Sequence, residues 1–184
     1  FNYPGEPTIF HPAPSPFGIP YRCLYSKNIA NLFFAGRNIS VTHAALSATR
    51  VMATCATLGQ AVGTAAAIAI RCNLDPRGVY EQKIGELKQR LMDDDCYLPW
   101  NRRSVPQLTQ KATLTASHGQ PELLRNGLDR PIGEDDNSWR GQIGSWVQYT
   151  FAEPRKIREL RFVFDSDLNR KVFNMPCNFP LKTE

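Results

Sequence analysis

The chain has 184 residues, of which 42% are hydrophobic and 21% charged, with a net charge of +5. That is enough apolar material for one large domain or two small ones, and too much for a disordered chain. The basic residues are scattered, with short pairs such as Arg102-Arg103, Arg155-Lys156 and Arg170-Lys171, which argues against a nucleic-acid-binding protein.

Residues 1–22 carry Pro4, Pro7, Pro12, Pro14, Pro16 and Pro20. Each proline fixes φ and disfavours helix in the residue before it, so this stretch is read as extended and turn-rich. With no Met at its start and no clear closing element at its end, the sequence is read as part of a larger protein. Five cysteines (Cys23, Cys55, Cys72, Cys96, Cys177) lie far apart without a CxxC, and there are only three His. No metal site is therefore expected, and the odd count favours free thiols.

The stretch Asn31–Ile70 is the most informative. Leu32-Phe33-Phe34-Ala35 reads as a short, fully buried strand ending at Gly36-Arg37. Asn38–Arg50 reads as a loop with one helical turn at His43–Ala48, and a helix follows from Met52 or Thr54 to Cys72. A strand feeding a glycine turn and then a helix start made of small residues and Thr suits an extended anionic cofactor. Backbone N–H groups can approach it, and the helix N-terminus adds partial positive charge. The uncharged run Val51–Ile70 has the length of a membrane span. Its Ala, Gly, Thr and Gln content predicts instead a buried helix of a soluble protein. Gly59, Gly63 and Ala67 form a smooth stripe at i, i+4, i+8, predicted to pack tightly on a sheet or another helix. Cys55 at the helix start is either a thiol with lowered pKa or, the preferred reading, a small buried residue packed on the sheet.

Asp75 is placed as the cap of a further helix, with Pro76 at its first position. Tyr80, Ile84, Leu87 and Leu91 make its apolar face, and Asp93-Asp94-Asp95 ends it. Three consecutive Asp side chains diverge on a helix, which disfavours the metal-site alternative. Beyond Pro99–Pro106 the pattern alternates. Ala112–Ser117, Trp146–Phe151 and Arg158–Phe164 read as half-buried antiparallel strands, with a turn at Glu153-Pro154 between the last two.

IPYRCLYSKNIANLFFAGRNIS followed by THAALSATRVMATCATLGQAVGTAAA resembles the C-terminal end of the FAD-dependent oxidoreductases, two-dinucleotide-binding-domain flavoproteins. It is most similar to large bacterial members of unknown substrate. Beyond residue 105, the turn at Asn126–Arg130, the Trp139 region and the WVQYTF strand resemble the start of a discoidin-like, galactose-binding-type β-sandwich. The fold expected is therefore α+β. Residues 1–104 form a partial Rossmann-type FAD-binding domain, a strand plus a long helix and a helical extension. Residues 105–184 form a partial antiparallel β-sandwich.

The first resemblance implies FAD as the cofactor. Gly36 and Arg37 would lie near its pyrophosphate and ribityl chain. Arg50, Val51, Met52, Ala53 and Thr54 would lead into the helix that points at the flavin, where a helix N-terminus stabilises charge on the reduced ring. Arg37 is alternatively a surface residue. Arg50 either binds a substrate carboxylate or pairs with the flavin or a protein carboxylate. His43 is a candidate general acid or base, or a hydrogen-bonded structural His. Tyr21 and Arg22 face the substrate or serve the crossover. Trp139 stacks on a sugar or packs in the sandwich.

The strand–GxGxxG–helix that holds the ADP half of FAD does not occur in these residues. The expected function is thus that of a C-terminal oxidoreductase fragment that helps bind and polarise the flavin and is inactive alone. The second reading is a carbohydrate- or partner-binding β-module attached to an inert flavoprotein-like segment, and a third is a purely structural segment. The expected setting is the bacterial cytoplasm or periplasm, with no membrane span and no nucleic acid.

Overall fold

A computed structural model describes residues 16–130 and 136–164. The chain divides into two compact units, Phe1–Arg103 and Ser104–Glu184.

The first unit is built on a helical hairpin. After a 3-10 turn at Tyr21–Leu24 come α1 (His43–Thr49), α2 (Met52–Cys72) and α3 (Pro76–Asp93). Thr42 caps α1, its Oγ1 accepting from Ala45 N at 3.4 Å. Arg50 closes α1, its N–H reaching Leu46 O. Extended backbone at Val51 then starts α2 in a new direction.

The end of α2 is a Schellman turn. Asn73 takes the left-handed conformation, Leu74 N bonds Ala69 O at 2.8 Å, and Asn73 N bonds Ile70 O at 3.3 Å. Asp75 caps α3 through Gly78 N, with Pro76 at its first position. The acidic run ends α3 as expected, by a second turn of the same kind. Asp95 sits at φ 59°, Cys96 N bonds Leu91 O at 2.8 Å, and Asp95 N bonds Met92 O at 3.2 Å. Buried Cys96 and Leu91 share the core, the apolar contact that accompanies such a turn. Two side chains add to these bonds: Gln60 donates to Asp94 O, and Arg103 donates to Met92 O as a second donor. Among the described residues no group of His, Cys, Asp or Glu could hold a metal.

The core lies between α2 and α3 and under the 3-10 turn. Leu58, Ala65, Ile68 and Ala69 of α2 meet Val79, Leu87 and Leu91 of α3, with Tyr21, Leu24, Tyr25 and Ile39 closing one end. Each leucine, isoleucine or valine among them contributes about 1.5–3 kcal/mol on leaving water, and each alanine less.

Leu32–Ala35 is not a buried strand. Phe33 makes one isolated antiparallel bridge, to Tyr25, and Leu32 and Ala35 are exposed. The bridge is held by Ser26 N to Leu32 O and Phe34 N to Leu24 O. A buried strand exists only through neighbours on both sides, and the described residues of this unit contain no sheet. The partial Rossmann-type arrangement is therefore not seen among them.

Nor is α2 a buried helix. One face packs on α3, while Met52 is 88% and Ile70 84% exposed. By length and composition α2 also meets the test for a membrane-crossing helix. The small-residue stripe faces the open side, with nothing within 4 Å of where a Cβ of Gly59 or Gly63 would stand. Cys55 packs on no sheet; it is half-buried and its thiol donates to Thr49 O at 3.6 Å.

In the second unit, α4 (Gln107–Lys111) precedes β1 (Thr113–Ala116), a 3-10 turn at Pro121–Arg125 and β2 (Val147–Thr150). β1 and β2 pair antiparallel, Thr113 opposite Thr150 and Ala116 opposite Val147. Two of the three predicted strands are thus present. The third, Arg158–Phe164, is not a strand: Leu160, Phe162 and Phe164 are 66–79% exposed, and no described strand pairs with it. The sheet of this unit has two strands among the described residues, with no second layer that would make a sandwich.

Candidate functional site

The candidate site of the first unit begins at the turn after Phe34. Gly36 has φ +89°, its carbonyl accepts from Ile39 N at 3.2 Å, and no atom lies within 4 Å of where its Cβ would be. The position combines a left-handed backbone, which only glycine adopts without strain, with open space above it. Arg37 follows, exposed.

Arg50, Val51, Met52, Ala53 and Thr54 form the second part. They are contiguous, and all but half-buried Thr54 are exposed. No side chain caps α2. Its first N–H groups thus present the positive end of a 21-residue helix. Among the described residues the guanidinium groups of Arg37 and Arg50 have no hydrogen-bond or ion-pair partner, and no hydrogen bond joins Gly36-Arg37 to Arg50–Thr54. His43 is exposed at the first position of α1.

Tyr21 and Arg22 are placed otherwise. Tyr21 is buried and its hydroxyl donates to Pro76 O at 2.9 Å. Its ring stacks on Tyr80 at 6.4 Å between centroids and tilts against Tyr25 at 5.4 Å. Burial, with Tyr25 and Asp75 nearby, pushes the phenol pKa up. Arg22 rests its guanidinium 5.6 Å from the centre of the Tyr80 ring. The pair sits against α3.

In the second unit Trp139 is half-buried and clamped. Its Nε1 donates to His118 O at 2.8 Å, and its ring lies 5.0 Å from that of His118. A Cβ on Gly141 would stand 2.9 Å from the ring. His118 Nδ1 lies 3.0 Å from Ser117 Oγ, and its Nε2 lies 2.8 Å from Arg140 O. The adjacent loop is held by Asn126, whose Oδ1 accepts from Leu128 N and whose Nδ2 donates to Asp136 O. Asp136 in turn accepts from Ser138 N and Oγ, which hold its carboxyl below the usual carboxylate range.

Trp146, read from the sequence as the core or rim of a sandwich, is half-exposed just ahead of β2. Compared with curated proteins and with solved structures, the chain matches none. Residues 3–91, a little under half of the chain, match the sequence profile of the FAD dependent oxidoreductase family, and that match implies FAD as the cofactor of the intact protein.

Proposed function

We propose that the first unit is the flavin-facing end of an FAD-dependent oxidoreductase domain, with the Gly36 turn and the start of α2 directed at the cofactor. The observation that carries this reading is the N-terminus of α2, long, exposed and without a side-chain cap, inside the region that matches the family. A helix start of this kind offers N–H donors and partial positive charge to an anionic partner. Gly36 fits the same role, since its backbone is left open to close approach.

When bound, FAD supplies hydride or electron transfer. The residues here do no bond breaking. Val51, Met52, Ala53 and Thr54 would hold the flavin edge through their backbone N–H groups, and Arg37 and Arg50 would add cationic side chains beside it. His43, exposed on α1, is the candidate for a proton-transfer role. The ADP half of the cofactor has no counterpart in the residues of this chain, so we read the 184 residues as unable to hold FAD or turn over alone. The second unit we read as the start of a discoidin-like sandwich, a reading that the antiparallel β1–β2 pair supports.

The test is the colour of the intact protein. It should purify with a flavin absorption band that Gly36→Val and Arg50→Ala each diminish, while the 184-residue chain shows no saturable binding in an FAD titration. An intact protein that is colourless and takes up no added FAD overturns the reading.

A further inference from the structure

We propose that residues 156–164 are an interaction surface for a second copy of this chain, pairing antiparallel with the same segment about Leu160. Every residue from Ala152 to Phe164 is exposed, and no described strand pairs with them. Leu160 is 73%, Phe162 66% and Phe164 79% exposed. The Phe162 and Phe164 rings stack 5.7 Å apart, so these two residues share a face, as extended backbone of period two requires. Such a segment, apolar and without a neighbour, is a template for another strand.

The charges select the occupant. Two identical segments paired about a two-fold axis set each residue opposite the one at the mirrored position. With Leu160 on the axis, Glu159 stands opposite Arg161 of the second copy, and Arg161 opposite its Glu159. Ile157 meets Val163 on the same face. On the other face Leu160 meets Leu160, Arg158 meets Phe162 and Lys156 meets Phe164, so each phenyl ring receives a cation. Every position from 156 to 164 thus finds a complementary partner, along a ribbon of about 30 Å.

An axis moved one residue either way loses this match. At Glu159 it opposes two carboxylates, and at Arg161 two guanidinium groups. Parallel pairing in register sets every charge against its own copy. Like charges directly opposite destabilise a sheet, so the charges favour the axis at Leu160. A different protein would have to bring an anion to Arg161, a cation to Glu159 and rings to Arg158 and Lys156. The segment itself supplies all of these. This inference is independent of the flavin reading.

The experiment follows the whole 184-residue chain by sedimentation velocity over a wide range of concentration. Wild type should show a reversible monomer–dimer equilibrium. Glu159→Arg and Arg161→Glu should each weaken the dimer about tenfold or more, because each sets like charges opposite at two symmetry-related places. Mixed in equal amounts, the two variants should associate again, since pairing between them restores opposite charges. Both side chains are exposed, so far-ultraviolet circular dichroism should match wild type. Leu160→Lys, which puts two ammonium groups on the axis, should leave monomer alone. A wild-type chain that stays monomeric throughout overturns the proposal and leaves the segment to another part of its own chain. So does a dimer that both charge reversals leave intact, or a pair of variants that fails to associate on mixing.

Discussion

The Tyr21 hydroxyl donates to the Pro76 carbonyl oxygen at 2.9 Å, so a residue of the N-terminal 3-10 turn fastens the first turn of α3. Pro76 O lies at the start of a helix, and the donor that meets it is buried. Tyr21→Phe should cost about 1 kcal/mol, since it removes the donor and keeps the ring. The pH dependence has a definite sign. Burial raises the folded-state phenol pKa, so its contribution is fully present below the unfolded value, about 10, and is lost as pH rises beyond it. Urea melts of wild type and Tyr21→Phe at pH 7 and pH 10.5 should show wild type losing more stability over that interval than the variant.

Glu86 gathers three cations. Arg71 at the end of α2 and Arg90 one turn further along α3 both donate to it, and Lys83 lies 3.9 Å away. The bonds from Arg71 and then Arg90 hold its carboxyl below the usual glutamate range. A depressed folded-state pKa contributes stability above the unfolded value, near 4.3, and loses it as pH falls through the folded value. The three cations are all at the surface, so the gain is small and screened by salt. Glu86→Gln should lower Tm at pH 7 in dilute buffer, by less at high salt, and the difference should shrink as pH falls below the usual glutamate range. A difference that does not shrink on acidification contradicts this account.

The open side of α2 gives a prediction of opposite sign. Gly59 and Gly63 sit in the helix interior with free space where a Cβ would go. Gly63→Ala should stabilise the chain by about 0.5–1 kcal/mol, because alanine loses less backbone entropy on folding. Leu87→Ala, on the packed side of α3, should cost about 2–5 kcal/mol. Chemical denaturation of the two variants side by side reads both.

Gly141 is the reverse of Gly63. A Cβ there would stand 2.8 Å from Ser145 Cβ and 2.9 Å from the Trp139 ring, and neither neighbour is the loose end of a flexible chain. Gly141→Ala should destabilise by about 1–3 kcal/mol. It should also shift the Trp139 indole N–H resonance, because the ring must leave its bond to His118 O. An unchanged indole signal refutes the clamp.

Elements whose ends carry their own chemistry were legible in the sequence. α2 and α3 lie where periodicity, the Asp75-Pro76 start and the Asp93–Asp95 stop put them. β1 and β2 were legible from their period of two. Leu32–Ala35 was not, because four apolar residues fit a buried strand and a hairpin arm equally, and the partner decides. Arg158–Phe164 has the period without a partner among the described residues. α4 and the turn at Pro121–Arg125 were missed because five residues leave no periodic trace; Pro106 and Pro121 at their starts were the available signal. Of the candidate site, the left-handed Gly36 turn and the helix start at Met52 were legible. That Tyr21 faces the core, with its hydroxyl on Pro76, was not, since a tyrosine carries no mark of which end finds a partner.

Arg125 donates to Thr109 O, Gln110 O and Ala112 O and grips Glu122 with both remaining edges. Every one of these partners lies within sixteen residues of it along the chain. The β1–β2 pairing, by contrast, joins residues more than thirty positions apart. Loop closure is cheaper over the shorter span. The corner from α4 to the second 3-10 turn can therefore assemble first, and it supplies a preformed edge on which the later strand lands.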